Sequence, residues 1–440
     1  METPWCVSDR QPGWDEILTD LPAGLPSRRA ALTLLQAVLW RHQALEAALP
    51  RALRKIENPA DRGLSRSIAS LALRWLPDLD DLIDSATDRN LPEEAPARMV
   101  LRIALVQAIV MKTPHHAVVA TALPLVDGGP RRLVHAVLAR LLKEGAELPE
   151  QPTMPDPWAT RWFASWGEEV VDAAGLSLAA PPPLDLTFKG QVDLSVFEDM
   201  AISLLPGHLR LPSGGRIEDL PGFEAGDWWV QDIAASLPAR LLQPAAGERI
   251  LDMAAAPGGK TMQLSAAGAD VTALDDSEIR LERLQENLTR TGLTATLVEA
   301  DGRKFTADTP YDAVLLDAPC SGTGIFRRHP DVLHLRKPTR MKETIALQAA
   351  LLDHAATLVR PGGRLVYSVC SLERQEGEMQ LAAFLERAPG WQMEVPATGI
   401  LPAGLTPRPD GSIRTLPGDL ADQGGLDGFY MARLRAPQAV

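Results

Sequence analysis

The chain has 440 residues, of which 45% are hydrophobic and 23% charged, as expected of a globular protein with two or three domains. Its three cysteines exclude a disulfide framework, and no apolar run reaches the about 20 residues that cross a bilayer, so we expect no membrane association. The formal net charge of −13 disfavours nucleic acid as a partner for the whole chain, although binding depends on local basic patches. Met1–Asp20 has no signal-peptide pattern, so we expect a cytoplasmic protein.

Residues 27–147 are predicted to form an all-α domain. Apolar residues recur there at intervals of three and four, as on the buried face of a helix, and prolines and glycines separate the segments. The connections are short, which predicts a compact bundle. The predicted helices are Ala30–Trp40, Leu64–Leu76, Ala97–Met111, His115–Val126 and Arg131–Lys143.

After a linker rich in Pro and Glu at Ala146–Pro157, two further regions are predicted. Residues 156–236 form a small α/β region, with a helix at Trp158–Val171 and a strand at Leu184–Lys189. In residues 237–436 strands alternate with helices, which predicts a parallel, doubly wound sheet. The predicted strands are Arg249–Met253, Asp270–Leu274, Ala295–Glu299, Asp312–Leu316 and Arg364–Ser368, with another in Gly428–Arg435.

The turn after the first of these strands is predicted to bind a cofactor, because ligands of such sheets bind at the carboxyl ends of strands. Gly258 and Gly259 let the backbone approach a ligand closely, and Asp275 ends the next strand, where a carboxylate can accept ribose hydroxyls. The turn matches neither a Walker loop nor a dinucleotide motif, which favours S-adenosyl-L-methionine, a cofactor without phosphate; a merely structural turn is the alternative. The predicted cofactor-binding residues are Ala254, Ala255, Ala256, Pro257, Gly258, Gly259, Lys260, Asp275, Asp301 and Asp317.

Two cysteines stand at the ends of predicted strands, in Asp317–Gly324 and Tyr367–Leu372. A cysteine thiolate can add to carbon 6 of cytosine, which makes carbon 5 nucleophilic enough to accept a methyl group. We therefore predict catalytic roles for Cys320 and Cys370, with Asp317 hydrogen bonding the cytosine edge. The residue types do not decide which cysteine attacks, and buried structural cysteines are the alternative.

Basic residues after the first cysteine motif predict a contact with RNA. We predict that the RNA backbone is held by Arg327, Arg328 and Arg336. The alternative is that these residues form a solvated charged face. A base that undergoes chemistry must leave its stack, so we expect a single-stranded loop or bulge as substrate. Phe326 could stack on a base or belong to the core. The scattered histidines lack metal-ligand spacing, so no metal is expected.

Taken together, these motifs closely resemble those of the RsmB-type RNA (cytosine-5) methyltransferases. The resemblance implies a seven-stranded Rossmann-like methyltransferase domain that uses S-adenosylmethionine and forms 5-methylcytosine. It also implies that Cys370 forms the covalent adduct and that Cys320 assists product release. The matching segments are Ala254–Thr261, Asp301–Arg303, Asp317–Gly324, His329–Asp331, Pro361–Gly363, Tyr367–Ser371 and Asp427–Tyr430.

The helical region resembles NusB-type RNA-binding domains. The likeness lies in Arg28–Ala31, Asp61-Arg62, Pro114–Ala117 and Val134–Leu138, where His135 replaces the family's usual Asn. A NusB-like domain joined to this methyltransferase implies 16S ribosomal RNA as the substrate. A tRNA cytosine-5 methyltransferase and a non-catalytic RNA-binding assembly or antitermination factor are the alternatives, and we expect a monomer.

Two positions depart from the family pattern. Val369 replaces the usual Thr before the second cysteine, and the usual Glu-Asn that follows is replaced around Glu376-Gly-Glu378. Neither change removes a nucleophile. Both leave open how well the second cysteine is positioned, and therefore the rate.

Overall fold

The computed structural model describes residues 22–191, 196–197, 201–335 and 341–438. The chain divides into two compact units, Met1–Thr153 and Met154–Val440, and the division falls within the stretch predicted as a linker. Both predicted C-terminal regions lie in the second unit. Within the described ranges, no helix is both long enough and apolar enough to cross a membrane.

The first unit is helical, as the sequence predicts. Its central helix is α5, in which every residue from Ala97 to Ala108 is buried, including two arginines. Arg98 and Arg102 are tolerated there because both form ion pairs with Asp80. The helices are α1 (Leu25–Leu39), α2 (Leu45–Ala52), α3 (Pro59–Arg74), α4 (Leu76–Ser85), α5 (Pro96–Ile109), α6 (His115–Ala122) and α7 (Gly128–Glu144).

The predicted helix Leu64–Leu76 corresponds to α3, and the next helix, α4, was not predicted. Helix α3 ends at Arg74 and α4 begins at Leu76, with Pro77 in its first turn. Proline suits the first turn of a helix but breaks a helix interior, which explains the division. Helix α2, which the sequence analysis missed, is only eight residues long and contains Pro50.

The second unit begins with two helices and a small antiparallel sheet of order β2-β1-β3. The small sheet packs its own apolar cluster, which includes Leu186, Leu209 and Trp228. These elements are α8 (Trp158–Trp166), α9 (Glu168–Ala179), β1 (Leu184–Phe188), β2 (His208–Leu211) and β3 (Trp228–Val230).

The large sheet has eight strands in the described part of the chain, one more than the resemblance implied. Its order is β10-β11-β8-β7-β4-β5-β6, and β9 also pairs with β11. The surplus arises because two three-residue strands, β9 and β10, both add to β11. The strands are β4 (Arg249–Met253), β5 (Asp270–Asp275), β6 (Thr296–Glu299), β7 (Tyr311–Asp317), β8 (Val359–Val369), β9 (Gln392–Glu394), β10 (Ile413–Thr415) and β11 (Phe429–Arg435).

Helices cover both faces of this sheet, as in doubly wound folds. On one face Leu352 and Phe384 belong to a core with the strands, and on the other face Leu237 and Leu264 do so. The helices are α10 (Ile233–Leu242), α11 (Gly259–Ala266), α12 (Glu278–Thr291), α13 (Val332–Leu335), α14 (Met341–Leu358) and α15 (Glu378–Arg387).

Strands β5, β4, β7 and β8 are parallel neighbours, so their carboxyl ends meet at one edge of the sheet. At that edge Met253 pairs with Leu316, and Asp317 pairs with Ser368. The predicted cofactor turn and both cysteine motifs follow these strand ends and are therefore brought together.

Candidate active site

The turn between β4 and α11 is tightly packed around Gly258. Gly258 has φ of 104°, and a Cβ added there would lie 2.8 Å from Cγ of Leu284. Only glycine fits both the left-handed backbone and that contact. Ala254 also has a positive φ, of 58°, and Ala255 N–H donates to the carbonyl of Leu274 at 3.0 Å. The turn is thus held to β5 before any ligand binds.

Two buried carboxylates lie behind the turn. Asp275 accepts hydrogen bonds from the backbone N–H groups of Ala256 and Ser277 at 3.2 and 3.1 Å, and burial raises its pKa above the ordinary value. Asp252 accepts a bond from the Thr261 hydroxyl at 2.6 Å, and its burial raises its pKa to about 7. The other oxygen of Asp252 has no hydrogen-bond partner among the described residues.

A cavity of about 370 Å³ lies on the β5 side of the turn. Asp275, Asp276 and Asp301 line it together with Arg280, Arg303 and the apolar side chains of Leu347 and Leu351. Asp301 accepts two hydrogen bonds from the Arg303 guanidinium, at 2.9 and 2.7 Å, and this partner holds the pKa of Asp301 well below its usual value. Carboxylates and apolar side chains in one cavity suit a nucleoside with free ribose hydroxyls.

A second cavity, of about 590 Å³, lies beside the same turn, and Ala254 lines both cavities. At the strand ends its lining includes Asp252, Lys260 and Asp317. The remaining predicted turn residues that line this larger cavity are Ala255, Ala256, Pro257 and Gly259. The predicted cofactor residues other than Gly258 therefore divide between two adjoining spaces.

Lys260 and Asp317 form an ion pair at the strand ends, with Nζ of Lys260 2.6 Å from Asp317 Oδ2. The Ser368 hydroxyl donates to the other oxygen of Asp317 at 2.8 Å. Burial lowers the pKa of Lys260, but Asp317 outweighs burial and holds that pKa above its ordinary value.

The two predicted catalytic cysteines are in contact. Their Sγ atoms lie 3.3 Å apart, both side chains are half-buried, and both thiols are free. The hydrogen bond with Cys370, together with burial, raises the pKa of Cys320 well above that of an ordinary thiol. Cys320 is therefore held as a protonated thiol beside its neighbour.

The arginines predicted to bind RNA occupy a different environment. Arg327 is 4% exposed and donates to Asp427 at 2.8 Å and to Asp232 at 3.0 Å, so its predicted contact with phosphate is corrected to a structural role. Arg328 pairs with the same two carboxylates, at 2.6 and 3.4 Å, but it also lines the larger cavity. An RNA contact by Arg328 remains a prediction, and Arg336 lies outside the described residues.

The predicted stacking residue Phe326 and the tryptophans of α8 belong to the core. Phe326 is buried against Trp162, with ring centroids 5.4 Å apart, so it does not offer a face for stacking a base. Trp158 and Trp162 are also buried. Trp166 donates from its indole N–H to the carbonyl of Leu372 at 2.9 Å, just after the second cysteine. No group of three or more His, Cys, Asp or Glu side chains in the described ranges could hold a metal ion.

Sequence reasoning missed two side chains that complete this site. Asp252 is the acidic residue just before the turn, and its place at a strand end could have identified it. Ser368 gave no such signal, because it becomes a partner of Asp317 only through the pairing of β7 with β8.

Comparisons with known proteins assign the family. Residues 25–143 match the NusB family model, and residues 239–435 match the model described as 16S rRNA methyltransferase RsmB/F. Ribosomal RNA small subunit methyltransferase B of Xylella fastidiosa is 35% identical over 433 residues, which cover 93% of this chain and 98% of that protein. The chain belongs to the RsmB/F family of 16S rRNA methyltransferases.

Solved structures agree with this fold. The crystal structure of PH0851 matches with a TM-score of 0.73 at 22% identity and covers 93% of this chain and 98% of its own. A methyltransferase homologue from Pyrococcus horikoshii matches with a TM-score of 0.53 at 26% identity and covers 68% and 98%. In this RsmB/F chain the predicted methyltransferase fold is thus confirmed.

Proposed function

We propose that this chain transfers a methyl group from S-adenosylmethionine to carbon 5 of a cytosine in 16S ribosomal RNA. Membership of the RsmB/F family supports the substrate class, and the relatives named ribosomal RNA small subunit methyltransferase B support ribosomal RNA over tRNA. The observation that carries the cytosine chemistry is the contact between Cys320 and Cys370, 3.3 Å apart, at neighbouring strand ends. Acting on this RNA, the enzyme would work as a monomer in the cytoplasm.

The residues around the turn fit S-adenosylmethionine. This cofactor is a phosphate-free nucleoside with a cationic sulfonium, and when bound it supplies the methyl group. Asp275 and Asp301 would hold its nucleoside part in the smaller cavity, and the unpartnered oxygen of Asp252 offers an acceptor to its positive charge. The larger cavity, with Lys260 and Asp317, then remains for the target nucleotide.

Cys370 is the nucleophile in this proposal. Its thiolate adds to carbon 6 of cytosine, and the new S–C bond makes carbon 5 electron-rich enough to take the methyl group. Asp317, fixed by Lys260 and Ser368, would accept a hydrogen bond from the cytosine amino group and orient the ring.

Cys320 acts in the second half of the reaction. The first cause of its raised pKa, the hydrogen bond with Cys370, is lost once the Cys370 sulfur is bonded to carbon 6, whereas burial and the charges of Glu376 and Asp317 still raise it. After losing its proton to solvent, Cys320 would accept the proton of carbon 5. The electrons of that C–H bond re-form the ring double bond as the bond from Cys370 to carbon 6 breaks.

The cysteine roles are tested with Cys320→Ala and Cys370→Ala variants incubated with a 16S transcript and labelled cofactor. On a denaturing gel Cys320→Ala should accumulate a covalent protein–RNA complex, whereas Cys370→Ala should give neither complex nor product. The opposite pattern would reverse the two roles.

The RNA substrate is tested separately. Bisulfite sequencing of ribosomal RNA from a deletion strain should show one lost 5-methylcytosine in 16S RNA. Methylation of a tRNA transcript instead would support a tRNA enzyme. No methyl transfer to any transcript would support a non-catalytic RNA-binding factor.

A further inference from the structure

Glu376 is a fully buried carboxylate that contacts both cysteine motifs. It lies in the turn between β8 and α15, six residues after Cys370, and none of its surface is exposed. One of its oxygens accepts the Ser321 backbone N–H at 2.9 Å. The other accepts the hydroxyl groups of Ser321 and Ser371, both at 2.5 Å. Ser321 directly follows Cys320 and Ser371 directly follows Cys370, so one carboxylate binds the residue after each cysteine.

The turn that carries Glu376 is itself held in place. The backbone carbonyl of Glu376 accepts the Tyr367 hydroxyl at 2.6 Å, and Tyr367 lies on β8 three residues before Cys370. Gln348 of α14 donates to the Glu376 carboxylate at 3.1 Å and to the carbonyl of Pro319, just before Cys320, at 2.9 Å. The carboxylate is therefore fixed from the strand and from the covering helix.

The serine hydroxyls also lie close to each other. Oγ of Ser321 lies 3.0 Å from Oγ of Ser371, so the two loops meet at the carboxylate. Each hydroxyl can donate only one proton, and both donate to Glu376 because a charged acceptor makes the stronger bond. Removing the Glu376 carboxylate leaves buried hydroxyl and N–H donors with too few acceptors. The two cysteine loops then lose the one group that both of them contact.

We propose that Glu376 is a positioning residue that holds the Cys320 and Cys370 thiols in contact, so that attack and release occur at one site. The catalytic meaning of this inference rests on the proposed function, but the holding of the two loops does not. The Glu376 charge also helps raise the pKa of Cys320.

The distance between the thiols can be measured without any methylation. Diamide oxidises two adjacent thiols to a disulfide and is itself reduced to the hydrazine, and mass spectrometry of peptides reports the Cys320–Cys370 bond. The wild-type chain should form it readily, since the sulfurs are 3.3 Å apart. Glu376→Ala should form it at least about tenfold more slowly, and Glu376→Gln, which keeps the shape, should be intermediate.

Glu373→Gln is the matched control. Glu373 is a buried carboxylate of the same turn, but it accepts bonds from Arg161 and Trp162 rather than from the serines after the cysteines. This variant should form the disulfide at the wild-type rate even if it loses some stability. Circular dichroism verifies that each variant is folded, and Glu376→Gln serves for the comparison if Glu376→Ala is not.

The kinetic counterpart is a split between kcat and KM. Glu376→Gln should lower kcat for methyl transfer by roughly 10²-fold, because misplacing a reacting atom by about 1 Å costs that much, while KM for RNA and cofactor stays within twofold. Equal rates of disulfide formation in wild type and folded Glu376 variants, or no disulfide in the wild type, would overturn the inference. Slower disulfide formation in an enzyme that never methylates cytosine would refute the proposed function alone.

Discussion

Two groups of charged side chains lie along the larger cavity, and they differ in what their charges contact. Lys260 and Asp317 form a single ion pair at the strand ends, with a quarter of the Asp317 side chain exposed to the cavity. In the other group, Arg327 and Arg328 pair with Asp232 and Asp427, and both carboxylates are almost wholly buried. A charge that is partly exposed to the cavity can serve a ligand, whereas Arg327, which is buried and paired with two carboxylates, holds the chain in place.

The position of the second group shows what it holds. Asp232 caps the start of α10 by accepting the N–H of Ala234 at 2.8 Å, and it also accepts the N–H of Asp427 at 3.1 Å. Arg327 adds a bond to the carbonyl of Gly424 at 2.9 Å. Three separate segments are thereby joined beside the cysteine loop. We infer that this group carries stability and the first group carries chemistry.

The largest expected effect is on stability. Arg327→Met should lower the free energy of unfolding by about 3–5 kcal/mol, because it leaves Asp232 and Asp427 buried without one of their partners. Urea denaturation measures this loss. Arg360→Met, which removes an ion pair with Asp312 whose arginine is half exposed, is the control and should cost less than about 1 kcal/mol. If Arg327→Met kept its stability but bound RNA more weakly, Arg327 would contact phosphate as the sequence predicted.

The next effect is on chemistry. Lys260→Met keeps the length of the side chain but removes the charge paired with Asp317, and kcat for methyl transfer should fall by about 10²–10³-fold. Single-turnover transfer from labelled cofactor measures it. Lys189→Met, which removes an ion pair with Asp227 beside the small sheet, should leave kcat unchanged. A loss of less than about tenfold in Lys260→Met would mean that Asp317 needs no cation to orient the cytosine.

A smaller effect should follow pH through Asp252. Its pKa is raised by burial to about 7, so the folded chain holds a proton that the unfolded chain loses near pH 4. The contribution of Asp252 to stability should therefore fall as pH rises from about 4 to about 7 and then level off. Asp252→Asn removes this fall. The stability that the variant gains over the wild type should be on the order of 2 kcal/mol larger at pH 8 than at pH 4.5. Part of the gain is offset because the variant loses the attraction between Asp252 and Lys260.

Thermal unfolding of both forms at the two pH values measures this difference. Thr261→Val is a control, because it removes the hydrogen bond to Asp252 and leaves the carboxyl group. A gain that is equal at both pH values would mean that Asp252 is ionised throughout.

The sequence predicted the architecture well, because alternating strands and helices determine a doubly wound sheet and place Asp275, Asp317 and Cys370 at one edge. Short elements such as β9 and β10 were missed, since three residues form no recognisable pattern. The role of Arg327 was missed for another reason. Its partners Asp232 and Asp427 are 95 and 100 residues away, so local sequence shows a basic patch and hides its neutralisation.

The same limit applied to Glu376. In the sequence it marked a departure from the family pattern and left the positioning of the second cysteine open. In the structure its carboxylate contacts Ser321, which is 55 residues away along the chain. Tertiary pairing of this kind cannot be derived from local composition, and only the placement of both loops at adjacent strand ends brings the partners together.

The smallest expected effect concerns Asp301 and Arg303, a pair at the smaller cavity whose members are both partly exposed. Arg303 lowers the pKa of Asp301, but an aspartate is ionised at pH 7 without such help. If the arginine acts only through this charge, Arg303→Met should change the dissociation constant for S-adenosylmethionine less than about twofold at pH 7. Near pH 4 the variant should lose affinity that the wild type keeps, because its Asp301 takes up a proton first.

Asp301→Asn should weaken binding at both pH values by about tenfold, as expected for a lost charge-assisted hydrogen bond. Calorimetric titrations at both pH values separate these cases. A large loss of affinity in Arg303→Met at pH 7 would instead mean that the guanidinium touches the cofactor. The smaller cavity would then bind its ligand through a cation, as the strand ends with Lys260 are placed to do.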